Sequence, residues 1–151
     1  MKALVQRVAR ARVVVGTRVT GEIRVGLLVL LGVTHRDDEA EARWLAGKVA
    51  GLRVFGDATG RMSLDVRDVN GGVLVVPQFT LYADTRHGRR PEFTAAAHPG
   101  HAEPLIRRFC LSLTEAKLQV EHGVFGAHMS VELINDGPVT LMLETPANDA
   151  P

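Results

Sequence analysis

Two short segments of this sequence carry residues whose types and spacing could do chemistry. The first, Gln78-Phe79-Thr80, follows a continuous apolar run, Val73–Val76, and a strand breaker, Pro77. An amide, an aromatic ring and a hydroxyl at the end of a buried strand could bind and orient a substrate, because functional sites are usually built on such rigid ends. The second, Asn135-Asp-Gly-Pro-Val-Thr140, contains the Gly137–Pro138 dipeptide that is typical of a tight turn.

Neither candidate nucleophile has a base beside it in the sequence. Thr80 taken alone is most often an ordinary strand threonine, since a catalytic hydroxyl needs an adjacent general base. Cys110 lies among Phe109, Leu111 and Leu113 in a helical pattern, which favours a packed thiol over a reactive one. A hydrolase of some other ester or amide that uses Thr80 or Cys110 stays open on these residues.

The six histidines do not form a metal-binding pattern. His98 and His101 are three positions apart, but Pro99 and Gly100 lie between them, and no cysteine or carboxylate cluster completes a ligand set. The sequence also contains no glycine-rich phosphate loop, dinucleotide fingerprint or nucleophile elbow. We therefore predict that the protein uses neither a metal nor a cofactor.

A basic segment follows the first polar segment. Arg86, Arg89 and Arg90 lie close together, beside Gly88 and Pro91. A solvated charged loop is the commoner explanation of such a cluster, and a phosphate-binding loop near the chemistry is the sharper one. The net charge is only +1, so any contact with a nucleic acid must come from a local patch of this kind.

The order of strand and helix patterns along the chain predicts a mixed sheet with two helices on one side, and these elements must position the two segments. The first helix opens at Asp37 and Asp38, with Trp44, Leu45, Val49 and Leu52 expected on its inner face, and the second carries Leu105, Phe109, Leu113 and Ala116. In chain order we expect a β-meander over residues 2–21, a buried strand at Val25–Val33, the first helix, a short strand at Met62–Leu64, the strand at Val73–Val76, a helix from Pro99 to about Leu118, and two strands joined by a turn at 135–138.

Length and composition indicate one soluble domain. The chain has 151 residues, of which 46% are hydrophobic and 23% charged. No apolar run approaches the roughly 20 residues that span a bilayer, and a single cysteine suits a reducing compartment. We expect one domain over residues 1–145, with a small, polar and frayed tail at 146–151.

Three ordered segments together resemble the signature of the D-aminoacyl-tRNA deacylases. The segments are Gln78-Phe-Thr-Leu81, Gly88-Arg-Arg-Pro-x-Phe93 and Asn135-Asp-Gly-Pro-Val-Thr140. Gln6-Arg7-Val8 and Gly126-Ala-x-Met129 are similar to that family as well, so that the likeness runs from Met1 to about Glu144. One departure is Pro77, where the family usually has serine, and any role of that hydroxyl or its backbone N–H is absent here.

The resemblance implies a cytoplasmic, homodimeric hydrolase that cleaves the ester between a D-amino acid and the terminal adenosine of tRNA. It implies rejection of L-aminoacyl-tRNA, slow action on glycyl-tRNA, no cofactor, and neither a membrane nor DNA as a partner. It also implies an α+β fold in which a mixed, largely antiparallel sheet curls toward a barrel with two long helices packed on it. A non-catalytic RNA-binding module stays open as an alternative, since it would keep the basic loop.

The resemblance also assigns roles to individual residues. Phe79 and Thr80 would act mainly through their backbone N–H groups on the ester, and Arg7 would hold the Gly137–Pro138 turn. That turn would be cis and would reach from one subunit into the pocket of the other, because a turn held by its own hairpin is unlikely to fold back. The implied substrate-binding residues are Gln78, Met129, Asn135, Gly137 and Pro138, and the implied tRNA-binding residues are Arg86, Arg89 and Arg90.

Overall fold

Strand β1 organises the sheet, because three other strands pair with it. In the computed structural model, which describes residues 1–147, β1 spans Lys2–Val15. Its first half pairs antiparallel with β3 (Gly26–Gly32) and its second half with β2 (Arg18–Ile23). Strand β8 (Ser130–Glu144) lies antiparallel along the other edge of β1. The predicted opening meander over residues 2–21 is therefore only a two-stranded hairpin, because residues 20 and 21 lie inside β2 and not in a second turn.

Two parallel strands extend the sheet beyond β3. Strand β6 (Gly72–Pro77) pairs parallel with β3, and β7 (Gln119–His122) pairs parallel with β6. The sheet curls until β2 approaches β7. The two strands come so close that an ideal Cβ on Gly21 would lie only 2.8 Å from the carbonyl oxygen of His122. This near-closure confirms the predicted α+β sheet curled toward a barrel. A separate antiparallel pair is formed by β4 (Phe55–Gly56) and β5 (Met62–Leu64).

The two sides of the sheet bury separate cores. Val73 and Val75 face the core beneath the helices α1 (Glu39–Ala50) and α2 (Pro99–Glu115), whereas Leu74 and Val76 face the core inside the curled sheet. All four of these residues are buried. The prediction that this apolar run forms a strand buried on both faces is therefore confirmed, and β6 is held from both sides up to the point where the polar segment begins.

Helix α1 begins one residue later than its acidic start suggested. Asp38 is the N-cap, and its carboxylate accepts hydrogen bonds from the N–H groups of Ala40 and Glu41 in a capping box. The buried face contains Ala42, Leu45, Ala46, Val49 and Ala50. Trp44 is 41% exposed, beside Lys48. Its predicted inward position is wrong, because it lies about 100° around the helix from Leu45.

The Asn135–Thr140 segment does not join two strands in a hairpin. Asn135 pairs with Val8 and Thr140 pairs with Gln6, so the four residues 136–139 bulge out opposite the single residue Arg7. The chain continues in the same direction on both sides of the bulge, as one strand along β1. The predicted turn between two strands is therefore wrong, because pairing with β1 on both sides overrides the local signal to reverse.

The first and last described strands are tied together at their ends. The N-terminal ammonium donates to the buried carboxylate of Asp37 at 2.7 Å and to the hydroxyl of Thr145 at 2.6 Å. The predicted frayed tail, 146–151, lies mostly outside the described residues, so that prediction stays untested. Within residues 1–147, no helix has the length and apolar character needed to cross a membrane.

Candidate active site

An open cleft of about 610 Å³ lies at the carboxyl ends of β3 and β6. Pro77, Gln78 and Phe79 form one wall of it, and Phe125 and Met129 form another. The start of α2 and the segment that leads into it close a third side. The carboxyl ends of parallel strands are a common position for ligand sites. The cleft therefore brings Gln78 and Phe79 together with Met129, whereas Thr80 does not belong to its described lining.

The backbone changes direction directly after β6. The strand ends at Pro77, the N–H of Gln78 donates to the carbonyl of Leu31 at 2.8 Å, and a 3₁₀ helix spans Phe79–Tyr82. The first N–H groups of such a helix have no partner within it, so those of Phe79 and Thr80 are available to a ligand. Thr80, which taken alone suggested a strand threonine, therefore lies in a helical turn, and the strand ends at Pro77.

The hydroxyl of Thr80 is not paired with a base. Its partner is the side-chain amide of Gln78, which donates a hydrogen bond to the hydroxyl oxygen. An amide cannot accept the proton of a nucleophilic hydroxyl at neutral pH. The thiol of Cys110 is also a poor nucleophile, because burial raises its pKa to about 11. The geometry therefore favours backbone chemistry over either side-chain nucleophile.

Phe79 links the cleft to the basic loop. Its ring is 58% exposed and meets the ring of Phe93 edge to face, with centroids 5.1 Å apart. The loop itself is closed at its base, where the N–H and carbonyl groups of Asp84 and Glu92 exchange hydrogen bonds of 2.7 and 2.9 Å. The loop that carries the arginines is thus fixed beside the polar segment.

The three arginines of the loop differ in their surroundings. Arg86 forms a forked pair with Asp84, with distances of 3.0 and 2.7 Å, and its hydrogen bonds lower the pKa of that carboxyl to about 2. Arg89 and Arg90 are exposed, and no carboxylate of residues 1–147 forms an ion pair with either of them. Arg86 already has an intramolecular partner, so Arg89 and Arg90 are the better candidates for contacts with phosphate.

The bulge of β8 is braced from inside by Asn135. Its side-chain oxygen accepts the N–H of Val139 at 2.8 Å, and its amide donates to the carbonyl of Val139 and the hydroxyl of Thr140, both at 3.1 Å. The Gly137–Pro138 peptide is cis, and Gly137 has φ +144°. An ideal Cβ there would lie 2.8 Å from a methyl carbon of Val139. Only glycine fits this position without strain.

Arg7 braces the same bulge from the neighbouring strand. Its Nε donates to the carbonyl of Asp136 at 2.8 Å, and its Nη1 donates to the carbonyl of Val54 at 2.6 Å. The Arg7 side chain is only 15% exposed. The guanidinium therefore joins the bulge to the segment that follows α1.

The predicted site residues form two clusters that are separated within one chain. Gln78, Phe79 and Met129 line the cleft, and residues 135–140 are absent from the part of its lining that the structure describes. The bulge lies three strands away from β6, roughly 14 Å across the sheet. Along the strands the bulge is level with Arg7, whereas the end of β6 is level with Ala3, and these two levels are roughly 13 Å apart. One chain alone does not bring the two clusters together.

Several residues that line the cleft could not be recognised from the sequence. Phe125, Ile106 and Ala102 all line it, but nothing in their local pattern distinguishes them from ordinary core residues. The only available signal was the position of Phe125 next to Gly126, in the segment that ends at Met129. Among the described residues there is also no group of three or more side chains arranged to hold a metal ion.

The fold and its cleft define a class of small α+β proteins in which a curled sheet presents a site at its strand ends. Residues 4–144 match the family described as D-Tyr-tRNA(Tyr) deacylase. The chain belongs to this family, which confirms the resemblance seen in its motifs.

Curated relatives agree with this assignment, and solved structures share the fold. The chain is 56% identical over 145 residues to the D-aminoacyl-tRNA deacylase of Symbiobacterium thermophilum, with 96% of each chain covered. It is 53% identical over 145 residues to that of Thermotoga petrophila, with 96% of this chain and 97% of the relative covered. A solved structure titled c-Myc DNA Unwinding Element Binding Protein is 40% identical with a TM-score of 0.91, covering 97% of this chain and 100% of that one.

A more distant solved structure supports the fold alone. It is titled as a probable eukaryotic D-amino acid tRNA deacylase, shares 16% identity, covers 94% of this chain and 97% of its own, and has a TM-score of 0.79. A curled sheet of this kind is thus retained where most side chains differ.

Proposed function

We propose that this protein hydrolyses the ester bond of D-aminoacyl-tRNA, releasing the D-amino acid and free tRNA, and that it rejects L-aminoacyl-tRNA. The observation that carries the proposal is the family match over residues 4–144, together with the cleft that Gln78 and Phe79 line. The substrate is an activated ester, so hydrolysis needs only modest assistance from the protein.

The cleft suits the terminal adenosine of the tRNA. Its walls are largely apolar and include the rings of Phe79 and Phe125 and the thioether of Met129. A purine ring can pack between such side chains without a dedicated set of polar partners. With the base in the cleft, the ribose and its ester would lie at the mouth, next to Gln78 and the start of the 3₁₀ helix.

The backbone around Phe79 and Thr80 supplies the chemistry in this proposal. Their N–H groups can stabilise the oxyanion that forms when water attacks the ester, an interaction often worth about 3–4 kcal/mol. The 2′-hydroxyl of the tRNA can help to activate the water, which agrees with the absence of a base beside Thr80. We therefore assign Thr80 mainly a backbone role, and we assign the protein no metal and no cofactor.

Chiral rejection in this proposal comes from the Gly137–Pro138 turn of a second subunit. Apolar pockets separate closely similar groups by only about 1–3 kcal/mol. Rejecting all L-amino acids while accepting many D-amino acids requires instead a rigid clash next to the α-carbon. The carbonyl groups of Gly137 and Pro138 can also bind the ammonium group of the substrate. Glycine has no side chain that could clash with the turn, so we expect the protein to cleave glycyl-tRNA slowly as a side activity.

The separation of the two clusters supports a site shared across a homodimer. The turn of one chain lies too far from its own Gln78–Thr80 segment to complete the site, whereas a two-fold partner can present its turn there. Asn135 and Arg7 brace the bulge, so that it can enter the partner's cleft as a rigid body. The interface would then place one composite site in each half of the dimer.

The acceptor end of the tRNA would lie along the basic loop. Arg89 and Arg90 are exposed and lack ion pairs with the described residues, so they can contact phosphates whatever amino acid the tRNA carries. This activity belongs in the cytoplasm, where aminoacyl-tRNA is made and used. An exposed arginine pair beside an apolar cleft is consistent with binding of a single-stranded RNA end.

A chiral deacylation assay tests the activity. D-Tyrosyl-tRNA and L-tyrosyl-tRNA are incubated side by side with the protein, with and without EDTA, and release of tyrosine is measured. We expect the D form to be cleaved in both conditions while the L form stays intact. Equal cleavage of both forms would identify a general esterase instead, and binding of tRNA without any release would identify an RNA-binding module.

Mixed dimers test the shared site. One chain carries Gly137→Val, which disables the turn because there is no room for a side chain there, and the other carries Gln78→Ala with Phe79→Ala. Each homodimer should be inactive, whereas the mixed dimer should regain about half of the wild-type activity because one composite site is intact. An inactive mixed dimer, alongside half-active pairs of each mutant chain with wild type, would place the whole site within one chain.

A further inference from the structure

The thioether of Met129 is held against the backbone at the edge of the cleft. Its Sδ accepts a hydrogen bond from the N–H of Val124 at 3.4 Å. An ideal Cβ on Gly123 would lie only 2.7 Å from the same sulfur, closer than real side chains approach. The sulfur therefore occupies a position that is open only because residue 123 is glycine.

This contact joins the two ends of the segment 124–129, which forms one wall of the cleft. Val124 begins the segment and Met129 ends it, and Phe125 and His128 between them line the cleft. The only other described backbone hydrogen bond within it joins the N–H of Ala127 to the carbonyl of Val124, at 3.2 Å. The position of the Met129 sulfur thus helps to determine the position of the segment 124–129 relative to the rest of the cleft.

The sulfur is also within reach of small solutes. Met129 is only partly buried, and it lines a cleft that is open to solvent. Its hydrogen-bond partner, Val124, is 41% exposed. A thioether in such a position can be oxidised to the sulfoxide, which turns an apolar side chain into a polar one.

We propose that Met129 is an oxidative modification site that inactivates the cleft. The inference rests on the proposed function, since it assigns a means of control to the same site. Hydrogen peroxide is the oxidant: a lone pair of the sulfur attacks one peroxide oxygen, an S–O bond forms, the O–O bond breaks and water leaves. The sulfur loses two electrons and the peroxide gains them.

The structure dictates what the added oxygen does. The side of the sulfur that faces Gly123 has no space for another atom, so the oxygen must point toward Val124 or into the cleft. On the Val124 side it would take over the N–H hydrogen bond and push the sulfur toward the cleft. The first orientation narrows the cleft, and the second puts a polar group on an apolar wall, where an adenosine would have to pack.

The chain contains matched control residues. Met62 is 54% exposed and Met142 is 46% exposed, and neither lines the described walls of the cleft. Both are more accessible than Met129, so peroxide should oxidise them without affecting catalysis. Met1 is 2% exposed and should react slowly. A variant with Met62→Leu and Met142→Leu should therefore keep both its activity and its sensitivity to peroxide.

The experiment compares three dimeric proteins: wild type, Met129→Leu, and the double Met62→Leu/Met142→Leu control. Each is titrated with hydrogen peroxide, and its activity on D-tyrosyl-tRNA is expressed relative to its own untreated sample. Leucine conserves volume in apolar surroundings and cannot form a sulfoxide. Peptide mass spectrometry measures oxidation at each methionine, and NMR of methyl-labelled methionine follows the Met129 signal and its response to adenosine monophosphate.

We expect wild type and the double control to lose kcat/KM by about tenfold or more, in step with sulfoxide at residue 129, because the cleft is either narrowed or lined by a polar group where the adenosine packs. The Met129→Leu protein should keep its own activity, and methionine sulfoxide reductases should restore wild type. Equal inactivation of Met129→Leu, or complete sulfoxide at Met129 with full activity, would overturn the proposal. Should the protein lack deacylase activity altogether, loss of the adenosine monophosphate response on oxidation still decides it.

Discussion

Replacing Arg7 should loosen the Gly137–Pro138 turn while leaving the fold intact. The Arg7→Met substitution removes the donors to the carbonyl groups of Asp136 and Val54, at 2.8 and 2.6 Å. Hydrogen bonds that involve a charged group contribute about 1.5–3 kcal/mol each, and only the bond to Asp136 is made to the bulge, so the bulge loses about 1.5–3 kcal/mol of restraint. The ion pair to Asp136 adds little, because it spans 3.8 Å and that carboxylate is 65% exposed.

The loss should appear in function more than in global stability. The pairing of β1 with β8 continues on both sides of the bulge, so the sheet does not depend on this side chain. If only the held turn completes the site, the apparent affinity falls with the fraction of turns that are in place, and a cost of about 1.4 kcal/mol already means tenfold. We expect kcat/KM on D-tyrosyl-tRNA to fall at least tenfold, and the ratio of D to L cleavage to fall as well.

The matched control is Arg12→Met on the same strand. Arg12 pairs with Glu132 at the surface, and its side chain is 45% exposed, so its removal should change neither the rate nor the chiral ratio. Arg7→Lys should be intermediate, because an ammonium group lacks the fork that reaches two carbonyls at once. Thermal unfolding of all three variants is measured in parallel. Unchanged rate and chiral ratio in a folded Arg7→Met protein would refute the role given to the bulge.

Three further predictions follow from individual contacts. Thr80→Ala should retain much of the deacylase activity, whereas a tRNA ending in 2′-deoxyadenosine should be cleaved poorly; the opposite pattern in rate measurements would indicate a nucleophilic threonine. Arg89→Ala and Arg90→Ala should each lower the log–log salt slope of tRNA binding by roughly 0.7–0.9, while Arg86→Ala, whose charge is paired with a carboxylate, should change it less. Asp37→Ala should destabilise the fold by about 3–5 kcal/mol in urea unfolding, because it leaves the buried N-terminal ammonium unpaired.

The sequence predicted most reliably what depends on local pattern. The apolar run Val73–Val76 indicated a doubly buried strand, and the structure places its alternate residues in two separate cores. The inner positions Leu105, Phe109 and Leu113 of the second helix are buried as expected. In each case the period of apolar residues reports directly on which face is covered, so no knowledge of distant parts of the chain was needed.

What the sequence could not predict depends on contacts between distant residues. The basic loop shows three arginines, but only the closure at Asp84 and Glu92 reveals that Arg86 folds back onto a carboxylate. The walls of the cleft at Ile106 and Phe125 come from elements far apart in the chain. Their side chains look like core residues in sequence, and only the curled sheet leaves a gap between them.

The bulge in β8 supports the proposed shared site through its position in the sheet. The segment from Asn135 to Thr140 has the residues of a reversing turn, and from that pattern alone the turn was expected to project beyond a hairpin. The ladder between β1 and β8 keeps the chain in one direction instead, so the turn does not project beyond a hairpin. The turn lies level with Arg7, three strands away from the end of β6. A rigid sheet cannot bring these two points together within one chain, which is why the proposed site takes its turn from a second subunit.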